Sequence, residues 1–262
     1  MNKKKTAKDV MLAHSKAKVD FYQNYLERYL SILSVSYFDT INIFDIFCGR
    51  GEYANGGLGS PIRAVQTIER IKKNRPSNLK INLFLNDAEK EYVNNVQKYI
   101  EAHFPDIQQH CNIRYLNAKV DNLFNVLCKI LPQTAYNERN FLFIDPYGYK
   151  DINRDIFSQM MSNRKTEITL FLPISFMHRF RNYAFHQDAH NSAKPLRNFI
   201  CQFFPANHPV CCDEEMDVLE YIDALKEALE NIAETTVKSL FPFSCLKKIL
   251  SFTFSKSSLV TM

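Results

Sequence analysis

Short apolar runs alternate with amphipathic stretches from about residue 10 to residue 172, and that alternation predicts the fold before any motif is considered. Residues 10–33 read as a helix, because Val19, Tyr22, Leu26, Tyr29, Leu30 and Leu33 recur at three- and four-residue spacing and share one face. A strand follows at 41–47, then a glycine-rich loop at 48–59. Ser60 is expected to cap the next helix, with Pro61 in its first position, where a missing N–H is harmless. Ile62, Val65, Ile68 and Ile71 form that helix's buried stripe, and Lys72-Lys73-Asn74 with Pro76 mark its end. The rhythm repeats: strands at 81–85, 113–116, 141–144 and 168–172 alternate with helices at about 88–103, 120–130 and 153–161. Apolar strands of this kind belong in a parallel sheet covered on both faces, so the expected class is α/β and Rossmann-like.

After Pro173 the rhythm stops. Residues 174–200 are aromatic and basic, with Phe176, Arg179, Phe180, Arg181 and Tyr183; 213–235 read as a helix with an acidic start. Short strands are expected at 239–243 and 249–254. The organisation predicted is a core over 1–175 and a helical extension over 176–262 that adds the sheet's final strands.

Composition narrows the class. At 262 residues the chain suits one α/β domain with insertions. No apolar run approaches the ~20 residues a membrane span needs. Lys3, Lys4, Lys5 and Lys8 make a start too polar for a signal peptide, so the expected location is cytoplasmic. The 7 cysteines are scattered, Cys245 among them, and without a C-x-x-C pair they read as reduced thiols. His14, His178, His186 and His190 show no metal-ligand spacing, so no metal is expected. A net charge of +5 fits a solvated lysine surface or a nucleic-acid partner. Arg179 and Arg181 carry the same two readings, a solvated helix face or phosphate contacts.

Chemistry concentrates where strands end. Asp45-Ile46-Phe47-Cys48-Gly49-Arg50-Gly51-Glu52-Tyr53 carries an acid and two glycines where the backbone of such a fold approaches a nucleotide-like ligand. The run fits the dinucleotide fingerprint formally, but that fingerprint needs an acid about 20 residues further on. Asp87, at the second strand's end, comes much later, and the helix starts only at Ser60. A long glycine loop without a phosphate-binding helix start suits S-adenosylmethionine (SAM), which has no phosphate. A nicotinamide cofactor is the poorer fit. Asp45, Phe47, Gly49 and Gly51 are therefore candidate cofactor residues, against the plain reading that the glycines only turn the chain. Asp87 could accept two ribose hydroxyls or cap a helix starting at Ala88. Asp121 could bond the adenine amine or simply face water at a helix start.

Asp145-Pro146-Tyr147-Gly148-Tyr149 ends the fourth strand. Methyltransferases acting on exocyclic amines place D/N-P-P-Y/F there: the carboxylate and the proline carbonyl accept hydrogen bonds from the amine, and an aromatic ring stacks on the base. Asp145, Pro146, Tyr147 and Tyr149 are the candidate catalytic set. The second proline is replaced by Tyr147 and the expected ring by Gly148, and a turn cap with packed tyrosines is the other reading.

Taken in order, His14-Ser15-Lys16, the Asp45–Tyr53 run, Gly59-Ser60-Pro61, Asn86-Asp87 and Phe143-Ile144-Asp145-Pro146-Tyr147-Gly148-Tyr149 resemble the three-Cys-motif partner protein family, TcmP, over residues 10–185. The resemblance implies a class I methyltransferase-like fold, bacterial origin, and a neighbouring partner protein that holds the three cysteines. Two functions stay open. One is a SAM-dependent transfer of a methyl group to a nucleic-acid amine; the other is a non-catalytic partner subunit that keeps the fold.

Overall fold

The computed structural model describes residues 10–186, 191–237 and 250–252; the expected strand at 239–243, His190 and Cys245 lie outside them. The described chain groups into two compact units. One comprises the described residues up to 123 together with 135–144, the other 124–134 and the described residues from 145 onward.

The first unit holds α1 (Ala13–Leu33), β1 (Thr40–Asp45), α2 (Ser60–Asn74), β2 (Lys80–Asn86), α3 (Lys90–His103), β3 (Asn112–Leu116) and β4 (Glu138–Ile144), with the start of α4 (Val120–Ile130). Its strands lie in the order β3-β2-β1-β4, every pair parallel. This is the expected Rossmann-like α/β arrangement. β1 has β2 on one side and β4 on the other, so the order reverses there, and ligands of such sheets bind beyond the strands' carboxyl ends at that reversal.

One face of β1 and β4 carries Ile41, Ile43 and Asp45 beside Phe141 and Phe143, residues that the register places in line. Helix α1 covers it. Tyr22 stacks on Phe143 at 4.1 Å, and Tyr25 and Tyr29 flank Phe141 at 5.8 and 5.3 Å. Of the six apolar positions expected on that helix, Val19, Tyr22, Leu26, Leu30 and Leu33 are buried, while Tyr29 is half-buried against Phe141. At its end the hydroxyls of Ser34 and Ser36 donate to the carbonyls of Ser31 and Leu33, satisfying acceptors that a helix terminus leaves open. Helix α1 packs on α2, and α2 on α3.

The opposite face carries a row that the apolar pattern did not predict. Asn112, Asn82, Asn42 and Asn140 sit at matching positions in β3, β2, β1 and β4. Their side chains form a chain of hydrogen bonds: Asn112 donates to Asn82 at 3.4 Å, Asn82 to Asn42 at 2.8 Å, and Asn42 to Asn140 at 3.1 Å. Two residues further along the strands, Phe44 stacks on Phe84 at 4.5 Å and the Arg114 guanidinium lies over Phe84.

Two local expectations are corrected. Gly59, in an extended conformation, is the cap of α2, and Ser60 is a buried first helical residue with no capping bond, because the backbone enters the helix one residue early. Asp87 does not cap a helix at Ala88. Helix α3 begins at Lys90 after Glu89, and Asp87 instead closes a two-residue turn by accepting from the Glu89 N–H at 2.9 Å.

The second unit contains the rest of α4, then α5 (Arg154–Met161), β5 (Thr166–Leu170), α6 (Ile174–Phe185), α7 (Lys194–Cys201), α8 (Pro209–Cys212), α9 (Val218–Val237) and β6 (Leu250–Phe252). Asn153 caps α5 through two bonds to its side-chain oxygen, from Asp155 and Ile156 N–H. The aromatic-basic stretch divides into α6 and α7, which pack together, and the helix expected at 213–235 begins only at Val218. β6 pairs in parallel with β5, within the stretch expected at 249–254. Arg181 is buried, donating from Nη2 to the Asp213 carbonyl at 2.6 Å, so it braces the helical layer and presents nothing to a phosphate. No helix among the described residues is long and apolar enough to cross a membrane.

Candidate functional site

The site is built by stitching loops across strand ends. After β1 the chain continues with Ile46, whose N–H donates to Phe143 of β4 at 3.1 Å, and then Cys48, whose N–H donates to Asn86 of β2 at 2.8 Å. Asn86 is the central clamp. Its side-chain amide donates to the carbonyls of Ile46 and Ala118, at 3.0 and 3.1 Å, and its oxygen accepts the Ala118 N–H at 3.0 Å. The loops after β1 and β3 are thereby tied to the end of β2. Asn117 adds two bonds, donating to the carbonyls of Asp87 and Ala88, both at 2.9 Å. A buried carboxamide that bonds two loops from its own strand fixes the position of both relative to that strand.

On this frame Gly49 and Asp87 meet. Gly49 is left-handed, with φ +63°, and donates its N–H to Asp87 Oδ2 at 3.0 Å. A β-carbon added at Gly49 would find no atom within 4 Å, so the backbone there borders open space. Gly51 differs. It is also left-handed, at φ +82°, but a β-carbon there would lie 2.9 Å from Val96 Cγ2, so this glycine is required by packing against α2 and α3. Between Gly51 and Gly59 the loop folds on itself, with Tyr53 N–H to Gly57 and Gly59 N–H to Gly51. Phe47 is half-buried in the first part of that loop.

Burial raises the Asp87 carboxyl above its ordinary range; the N–H groups of Glu89 and Gly49 partly offset this by favouring the charged form. Asp45, 0% exposed, lies in the same electrostatic neighbourhood. Burial pushes up the Cys48 thiol, and the charges of Asp45 and then Asp87 push it further; Tyr22 is raised by burial and by Asp45. A carboxylate without exposed surface touches no ligand in this conformation.

Of the cofactor candidates, then, the structure joins Gly49 to Asp87, sets Asp45 and Asp87 both within electrostatic reach of Cys48, turns Gly51 toward the interior, and leaves Asp121 exposed in the first turn of α4. Asn86 and Asn117 carry the geometry and were not singled out for that role. The one signal for them was a carboxamide placed directly after an apolar strand, a position that water-facing residues also occupy.

The second unit holds the other candidates. Pro146 is buried and Asp145 half-buried, while Tyr147 is 77% exposed. Tyr149 is 9% exposed, its ring lying 5.6 Å from Phe199 and 6.3 Å from Phe176, and burial raises its phenol. It is a packing residue with one edge at the surface. His178 bonds the Met216 carbonyl at 2.8 Å, and no group of three or more His, Cys, Asp or Glu among the described residues is arranged to hold a metal.

No protein-family model matches the sequence, and no curated protein does. Among solved structures, a loganic acid methyltransferase with SAH is similar over 87% of each chain, at 12% identity and a TM-score of 0.37. So distant a likeness does not bear on what this chain binds or does.

Proposed function

We propose that the chain is a SAM-binding, methyltransferase-like protein of the three-Cys-motif partner type, with Asp87 and Gly49 holding the nucleoside end of the cofactor. The observation that supports this most is the bond between them. A carboxylate offers about four lone-pair sites. The N–H groups of Gly49 and Glu89 use part of that capacity, and the remainder suits the paired hydroxyls of a ribose. The open space beside Gly49 is where a sugar can approach the main chain. Phe47 and Asp121 complete the proposed cofactor set, Gly51 shaping the loop behind them. Asp45 contributes charge: the field that raises Cys48 and Tyr22 would favour a cationic sulfonium brought to this rim.

SAM, when bound, supplies a methyl group on a leaving sulfur that departs neutral. The protein's task is then mainly to orient the acceptor. Asp145 and the Pro146 carbonyl are assigned to accept hydrogen bonds from an exocyclic amine of a nucleic acid, and the exposed ring of Tyr147 to lie on its base. Calorimetry with SAM on the native chain and Asp87→Ala tests the cofactor half. A loss of tenfold or more is expected, since hydrogen bonds to a charged group contribute about 1.5–3 kcal/mol. Unchanged affinity overturns the assignment.

A second reading is favoured by Tyr149. The ring that follows the motif packs between Phe176 and Phe199, and Gly148 stands where a stacking ring is expected. Those departures suit a non-catalytic subunit that retains the cofactor and presents a surface to a three-Cys-motif protein. SAM binding without tritium-methyl transfer to DNA, RNA or that partner supports this reading; transfer to any of them excludes it.

A further inference from the structure

The second unit contains a hollow of about 330 Å³ that begins at the residue closing the Asp145–Tyr149 motif. Tyr149 and Phe199 form its apolar wall, and Lys150 and Lys194 stand at its edge with no carboxylate among the described lining residues. Both lysines are exposed, and among the described residues neither has a hydrogen bond or ion pair. The wall behind them is braced. Gln202 accepts the Arg154 N–H at 3.0 Å and donates to the Asn198 carbonyl at 3.3 Å, linking the start of α5 to the end of α7. Asn198 borders the same space.

We infer that this hollow holds a backbone phosphate of a single-stranded nucleic acid, next to the nucleotide whose amine Asp145 orients. The inference rests on the proposed acceptor role of Asp145 and Pro146 for the identity of the substrate. Its own support is separate. Two ammonium groups at a concave site, with no partner among the described residues, draw an anion, and a polyanion gains further by releasing condensed counterions. The hollow is near the lower end of the range for small-ligand sites, about 300–1,000 Å³, which suits one nucleotide unit. Nucleic acid is favoured over an acidic peptide because each base presented to Tyr147 brings a phosphate with it, and single strands are held by such pairings of cationic grooves with aromatic rings.

The test is fluorescence anisotropy of the full chain with labelled single-stranded DNA and RNA, over a range of salt, for the native protein, Lys150→Gln/Lys194→Gln, and a control with the exposed Lys98→Gln/Lys129→Gln. Thermal melts confirm that the variants fold. The expected result is a loss of about tenfold or more in the first variant only. Its slope of log affinity against log salt should fall by about 0.7 for each phosphate contact removed. Equal loss in the control, no loss in the first variant, or equal binding of a polyglutamate peptide each overturns the inference. Calorimetry with SAM separates it from the cofactor reading. If the native chain binds no SAM but its oligonucleotide affinity depends on Lys150 and Lys194, the cofactor reading fails and the strand site stands.

Discussion

Gly49 donates its backbone N–H to Asp87 Oδ2 at 3.0 Å, joining the turn after β1 to the residue that follows β2. The two glycines of that turn have different duties, and alanine at each separates them. At Gly49 the added methyl meets nothing, so the cost is the left-handed backbone alone, about 1–2 kcal/mol. At Gly51 the same strain is joined by a contact of 2.9 Å with Val96, and overpacking adds about 1–3 kcal/mol. Gly51→Ala should therefore lower the urea midpoint more than Gly49→Ala. The order should reverse for SAM affinity, because the Gly49 methyl occupies the space assigned to the ribose. If both variants change stability and affinity in the same order, Gly49 has no role beyond the turn.

The raised Asp87 carboxyl makes a pH prediction with a definite sign. Because burial lifts its folded value above the unfolded one, the native state holds this proton at pH values where the unfolded chain has lost it. The charged group thus costs stability at neutral pH, and that cost is relieved as pH falls through the folded value. The melting temperature of Asp87→Ala relative to the native chain should fall from neutral pH toward the ordinary carboxylate range. Binding runs the other way. Hydroxyls are best held by the ionised form, so SAM affinity of the native chain should decline at a pH above that range.

The asparagine row yields a graded prediction. Asn140 is 1% exposed at one end, whereas Asn112 is exposed at the other. Removing Asn42, which donates to Asn140 and accepts from Asn82, leaves a buried oxygen without that donor. A cost of about 1–3 kcal/mol is expected for Asn42→Ala. Asn112→Ala should stay within about 0.5 kcal/mol, as surface changes usually do. Equal costs at the two positions in denaturant titrations would mean that the row is not coupled to burial.

That row also shows how far the sequence could be read. Alternation of apolar strands and helices was sufficient for the parallel α/β class, and Ile62, Val65, Ile68 and Ile71 are buried as their spacing requires. The same apolar criterion places Asn42 and Asn82 inside strands and gives them no role, although Ile-Asn-Ile-Phe and Ile-Asn-Leu-Phe are nearly one motif repeated at one register. Register is a property of pairs of strands, so one strand at a time did not reveal it. Asp87 was legible as a strand-end acid. Its partner Gly49 N–H was not, because a backbone donor leaves no mark in side-chain identity. Tyr149 and Tyr147 were indistinguishable in sequence, and only packing against Phe176 and Phe199 separates the buried ring from the exposed one.

The last relationship concerns the entry to α1. The Met11 N–H donates to Asn55 Oδ1 at 3.1 Å, and Asn55 Nδ2 returns a bond to the Met11 carbonyl at 3.2 Å, so the segment before the helix is latched to the tip of the glycine loop. Gly57 lies beneath it. A β-carbon there would come within 2.7 Å of Met11 Cβ, which, unlike the end of a flexible side chain, cannot rotate away. Gly57→Ala should therefore displace the segment, and Asn55→Ala should release it by removing both bonds. Each variant is expected to speed amide hydrogen exchange at residues 11–16, where the Lys16 N–H bonds Leu12, while exchange in β1 and β2 stays slow. Asn55→Ala should cost about 1 kcal/mol or less, because both bonds are exposed. Faster exchange throughout the first unit would show that the latch supports the whole sheet, whereas no change at 11–16 would show that it is not closed in solution.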